Sequence, residues 1–162
     1  MRYRSNSRGD TVAFGASLAA VLQPGDVIVL SGDLGAGKTA LTSGIAHGIG
    51  LQDRVTSPTF ALVHRYDHGP AVLIHVDAWR LDSASALEDL GLEDVLDPDV
   101  VTVVEWGELV SAALPQERCT VHLALGSGEH DRVIDIEWVG DSWRARSDAL
   151  TQAAAAALTE ES

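Results

Sequence analysis

The chain has 162 residues, 46% of them hydrophobic, which is enough for one domain with a real core, and no apolar run approaches the length of a membrane span. Its formal charge of −13 counts against a large sequence-independent nucleic-acid surface; it suits a protein that meets a basic partner, or general solubility alone. One cysteine, Cys119, permits no internal disulfide, and the polar start Met1-Arg2-Tyr3-Arg4-Ser5-Asn6 lacks an apolar signal core, so the expected compartment is the cytoplasm.

In chain order, a short strand is expected over 1–8. Asp10 is a plausible N-cap for a helix striped by Phe14, Leu18, Val21 and Leu22, and Pro24-Gly25 ends it. The apolar run Val27-Ile28-Val29-Leu30 reads as a buried strand. Gly32-Asp33-Leu34-Gly35-Ala36-Gly37-Lys38-Thr39 follows, a G-x-x-x-x-G-K-T phosphate-binding loop. Leu41, Ile45 and Ile49 then mark one face of a helix, in which Gly44 and Gly48 are local weak points and Gly50 a C-cap. Ser57-Pro58-Thr59 is a stiff, hydroxyl-rich segment, read either as a polar connection or as part of a nucleotide site.

Strands are expected over 60–66 and 71–76, joined by the turn Asp67-His68-Gly69-Pro70. So short a connection makes them an antiparallel hairpin and the sheet mixed. Leu87, Leu90 and Leu92 belong to an acidic, broken helix. The β-branched run 100–104 is the most strand-like in the chain and ends in Glu105-Trp106-Gly107. A short helix over 108–114 and a closing hairpin, 119–125 with 132–138, complete residues 1–140, expected as a P-loop ATPase domain. Residues 141–162 are expected as an alanine-rich C-terminal extension, helical or frayed.

The chemistry centres on the glycine loop. Its backbone N–H groups curl around anionic oxygens, and the helix behind it adds the positive end of its dipole. Lys38, the only lysine, reaches the β- and γ-phosphates, and the Thr39 hydroxyl meets Mg²⁺. In an open α/β sheet, ligands sit beyond the carboxyl ends of the strands, where Asp77 and Glu105 both follow apolar runs. Aspartate is the usual metal-side acid at such a place, which favours Asp77; the stronger strand favours Glu105. His75 reads first as a hydrogen-bonded core histidine. The sole lysine is spent in the loop, so a guanine-reading N-K-x-D motif is excluded and ATP is favoured. No arginine-rich lid is visible, Arg80 and Arg132 being single candidates.

Together with His75-Val76-Asp77-Ala78-Trp79-Arg80-Leu81 and Val104-Glu105-Trp106, the loop and Ser57-Pro58-Thr59 make the chain resemble the bacterial TsaE family (also called YjeE), ATPases of tRNA threonylcarbamoyladenosine biosynthesis. The likeness covers about residues 10–140. Trp79 stands where the family usually has tyrosine, and Ala78 where it usually has leucine. The resemblance implies an α/β fold, a P-loop NTPase-like three-layer sandwich with a mixed central sheet. It implies ATP and Mg²⁺, with Thr39 and Glu105 as metal ligands and Asp77 as the group that positions water, alongside Lys38 and Glu105 in catalysis. Gly32, Asp33, Leu34, Gly35, Ala36, Gly37, Lys38, Thr39 and Ala40 would cradle the nucleotide. Trp106 and Ser57–Thr59 would lie beside it, with Thr11 and Arg132 toward the adenine. The implied partner is the threonylcarbamoyl transferase complex, with hydrolysis slow in its absence and no strong binding of tRNA alone. A small-molecule kinase and a non-hydrolysing nucleotide-binding module are the competing readings.

Overall fold

The structure is a computed structural model that describes residues 1–58 and 62–161. Eight strands form one sheet in the order β3-β4-β5-β2-β6-β7-β1-β8. At its centre β2 (Val27–Ser31) runs parallel to β5 (Val101–Glu105) and to β6 (Arg118–Leu125), and β5 runs parallel to β4 (Leu73–Asp77). The flanks are antiparallel. On one side β3 (Val63–Tyr66) pairs with β4. On the other, β7 (Arg132–Val139), β1 (Arg2–Ser5) and β8 (Thr159–Glu160) continue from β6. The expected hairpin and mixed sheet are therefore observed. The strand expected from residue 60 is β3 from Val63; Thr59 and Phe60 lie outside the described residues.

Alternation along β2 creates the three layers. Ile28 and Leu30 enter one core with Phe14 and Leu18 of α1 (Arg8–Ala19) and Leu41 and Ile45 of α2 (Lys38–Gly48). Val27 and Val29 enter a second core with Leu87 of α3 (Ala84–Glu88), Val95 of α4 (Leu92–Val95) and Val110 of a 3₁₀ segment, Gly107–Ala113. A strand buried on both faces needs a near-continuous apolar run, which 27–30 supply; 100–104 do so around Thr102, whose buried hydroxyl donates to the Val95 carbonyl.

Three local readings are corrected. Ser7, not Asp10, caps α1: its Oγ accepts from the Asp10 N–H at 3.1 Å, while the Asp10 carboxylate accepts from the Asn6 N–H at 2.9 Å. This reciprocal arrangement satisfies donors on both sides of the helix start, and so outcompetes a cap at Asp10. The helix expected over 108–114 is the 3₁₀ segment, entered from Trp106 in the left-handed region. Finally, Gly44 and Gly48 have a packing purpose. A Cβ on Gly44 would strike the carbonyl of Val12, and one on Gly48 would lie 2.7 Å from the Ala16 carbonyl. Each glycine costs the helix about 1 kcal/mol. Burying a large apolar side chain returns about 1.5–3 kcal/mol, so the close α1–α2 approach that seals Phe14, Leu18, Leu41 and Ile45 outweighs that cost.

Residues 141–161 form α5 (Asp141–Ala145), α6 (Ser147–Ala157) and β8. Trp143, Leu150, Ala154 and Leu158 join the same core as Phe14 and Leu18, so the boundary expected at 140 does not divide two cores. Arg146 anchors the segment. Its guanidinium pairs with both carboxylate oxygens of Asp26, at 2.6 and 2.9 Å, and donates to the Val21 carbonyl at 2.9 Å. Its charge also lies 4.3 Å from the Trp143 ring centroid. Cys119 is fully buried, and burial pushes its thiol up to about 12, so it stays a neutral core side chain.

Two outcomes are expected in thermal or urea unfolding. Arg146→Ala leaves Asp26 an unpaired, mostly buried charge and costs roughly 3 kcal/mol. Gly44→Ala forces backbone apart at the α1–α2 contact and costs about 1–3 kcal/mol. A change below about 0.5 kcal/mol in either would contradict the packing described.

Candidate functional site

The loop between β2 and α2 is shaped by glycines at positions where only glycine fits. Gly32 has φ +127°, and a Cβ there would strike the Leu123 carbonyl on β6. Gly37 has φ +108° and forms the N-cap of α2. The loop thus turns sharply at the sheet edge and delivers Lys38 and Thr39 in the first turn of α2.

Strand register delivers the acids. Leu30 of β2 pairs with Glu105 of β5, and Glu105 pairs with Asp77 of β4. Both acids are buried, 3% and 4% exposed, at the carboxyl ends of adjacent parallel strands. Glu105 Oε1 accepts from Thr39 Oγ1 at 2.9 Å and lies 2.8 Å from His75 Nε2. Asp77 Oδ2 accepts from Ser57 Oγ at 2.8 Å, and Oδ1 accepts from the Trp79 N–H at 3.0 Å. Thr39 and Glu105 therefore converge as hard oxygen donors, the chemistry Mg²⁺ takes from a protein when phosphates complete its shell. The residues fit that ion.

Lys38 lies inside the loop that it belongs to. Its Nζ donates to the carbonyls of Gly32 and Asp33, and it stands 3.9 Å from the centroid of the Trp106 ring. Burial lowers its pKa from the ordinary value, opposed by the carboxylates of Glu105, Glu108, Asp77 and Asp33. Trp106 itself adopts φ +58°, held by its N–H to the Leu30 carbonyl at 2.9 Å, and its ring lies 4.5 Å from that of Trp79.

These groups surround a cavity of about 520 Å³, lined by Leu34 through Ala40, Thr11, Ser57, Asp77, Trp79, Glu105, Trp106 and Arg132. That volume suits a ligand of nucleotide size. Gly32 and Asp33 stand off its wall and serve it through their carbonyls to Lys38. Thr11 reaches the wall, but its hydroxyl is shared with Ser5 Oγ at 2.8 Å, and its methyl lies against Gly37. Arg132 donates to the carbonyls of Ala36 and Gly35, at 3.1 and 3.2 Å, and so braces the loop from the last hairpin. Thr59 lies outside the described residues. Arg8 and His130, which also line the cavity, were not anticipated from sequence. Their only signal is position, Arg8 one helical turn before Thr11 and His130 two residues before Arg132.

No helix among the described residues is long and apolar enough to cross a membrane. The family model described as threonylcarbamoyl adenosine biosynthesis protein TsaE matches residues 5–134. The tRNA threonylcarbamoyladenosine biosynthesis protein TsaE of Bacillus subtilis is 37% identical over 152 residues, 94% of each chain. That of Treponema pallidum is 42% identical over 123 residues, covering 76% of this chain and 90% of the relative. The crystal structure of Bacillus subtilis YdiB superposes with a TM-score of 0.80 at 33% identity, over 94% of each chain. The motifs, the mixed sheet and these matches agree, and the chain belongs to the TsaE family.

Proposed function

We propose that this protein binds Mg·ATP in the cavity, hydrolyses it slowly, and thereby acts on the threonylcarbamoyl transferase complex in the cytoplasm. The observation that carries the reading is the meeting of Thr39 and Glu105 beside Lys38 and Asp77 at one wall of the cavity. The family's named role in threonylcarbamoyl adenosine biosynthesis supports the choice of pathway.

The loop N–H groups and Lys38 would hold the phosphates. Lys38 now donates to two neutral carbonyls; a phosphate oxygen carries the opposite charge, and that added attraction favours the exchange when ATP enters. Thr39 and Glu105 would hold the magnesium ion, which when bound neutralises charge on the β- and γ-phosphate oxygens. Asp77 would orient the attacking water. Each of its oxygens already accepts one hydrogen bond, Oδ2 from Ser57 and Oδ1 from the Trp79 N–H, which fixes the carboxylate and leaves each oxygen a second acceptor site for water. With no arginine finger among the sequence motifs, turnover is expected to be slow alone and to rise with a partner that completes the site.

Phosphate release from Mg·ATP, measured with and without the purified transferase complex, tests the proposal. The expected result is slow release that rises with the complex. Lys38→Ala and Glu105→Ala should each lower it by about 100-fold or more, the loss typical of a removed transition-state contact. Asp77→Asn should retain ATP binding and lose release. No release under either condition, with ATP still bound, would overturn hydrolysis and leave a nucleotide-binding module.

A further inference from the structure

His75 occupies the middle of β4 with no solvent exposure. Its Nε2 lies 2.8 Å from Glu105 Oε1, and a carboxylate only accepts, so Nε2 carries the proton. The opposite nitrogen, Nδ1, is buried and has no hydrogen-bond partner among the described residues. A buried polar atom left in that state costs about 1–3 kcal/mol. The neighbours on β4 and β5, Leu73, Val76 and Val103, are apolar, and a leucine would serve packing there without that cost. The return on the imidazole is the single bond to Glu105.

That bond has a geometric consequence. Thr39 Oγ1 donates to the same oxygen, Oε1, from the other side, at 2.9 Å. Two donors, one from β4 and one from α2, pin Oε1. Oε2 accepts no hydrogen bond among the described residues and is the oxygen of Glu105 left for the cavity that this residue lines. Tyr66 flanks the imidazole, ring centroids 6.4 Å apart and planes tilted by 32°, and helps keep it in place.

We infer that His75 is a positioning residue: through Nε2–H it fixes the Glu105 carboxylate so that a divalent cation held by Thr39 and Glu105 meets a preoriented ligand. The inference rests on the Mg·ATP reading of the cavity. Groups that orient metal ligands in this way typically contribute 10- to 100-fold in metal affinity.

The test separates the two. Calorimetry gives the affinity of the full chain for a non-hydrolysable ATP analogue in excess MgCl₂ and in EDTA, and the ratio is the magnesium-linked gain. It is measured for the wild type, His75→Leu and His75→Gln, with melting temperatures alongside. His75→Leu is expected to fold, to keep its affinity in EDTA, and to lose about 10-fold of the gain. His75→Gln, whose amide places a donor near the Nε2 position, should recover most of it. Should His75→Leu fail to fold, His75→Gln decides: a gain near the wild-type value supports the inference, and a loss of about 10-fold or more overturns it. An undiminished gain in His75→Leu overturns the positioning role and leaves the functional reading standing. A wild type with no magnesium-linked gain overturns the functional reading itself.

Discussion

One carboxylate oxygen joins three of the elements that surround the cavity. Glu105 Oε1 takes hydrogen bonds from Thr39 on α2 and His75 on β4, while its own backbone belongs to β5. The arrangement exists only in one strand register. Leu30, Glu105 and Asp77 lie side by side across β2, β5 and β4, and a slip of one residue would turn Glu105 toward the α3 face. The apolar alternation that builds the two cores is therefore the same constraint that aims the acids at the glycine loop. Val101 and Val103 enter the α1–α2 core, and Glu105 follows them in phase.

The loop is held on several sides by equally specific packing. Gly32 sits against β6, where any side chain would meet the Leu123 carbonyl. Arg132, on β7, donates to two loop carbonyls and so holds the loop from the hairpin side. Behind the loop, α2 is fixed by its close backbone contact with α1, and α1 is in turn covered by α6 through Leu150 and Ala154. The position of the glycine loop thus depends on residues near both ends of the chain.

Much of this was legible in the sequence because it is local. A glycine pattern between an apolar strand and a helix names a phosphate loop, and an unbroken β-branched run names a central strand. Asp77 and Glu105 were legible as strand-end acids, although spacing alone left their roles open. What sequence pattern missed is long-range. The ion pair of Arg146 with Asp26 spans 120 residues, and no periodicity in an alanine-rich tail signals that Trp143 fills a core. The packing value of Gly44 appears only once α1 lies against it. His75 reads as core from its neighbours; its bond to Glu105 depends on β4 pairing with β5. Ser7 was missed because Asp10 is as good a cap by type, and only the reciprocal bonds between them decide.

The acids and the lysine are prepared to different degrees, and the difference has a physical origin. Thr39 and Glu105 are already joined, and their positions follow from helix and strand backbone alone. Lys38 is long and flexible, and it satisfies its buried charge with the nearest carbonyls, those of Gly32 and Asp33, under the Trp106 ring. A left-handed conformation at a residue other than glycine costs of order 1–3 kcal/mol, and Trp106 is kept in it by the N–H bond to Leu30 and the contact with Trp79. The indole is therefore fixed over the lysine by the end of β5, the same strand end that presents Glu105. Movement of Lys38 toward a phosphate requires a change of hydrogen-bond partners at one side chain and no change in the sheet. Strand register makes the acidic side of the site rigid, and side-chain length makes its basic side adaptable.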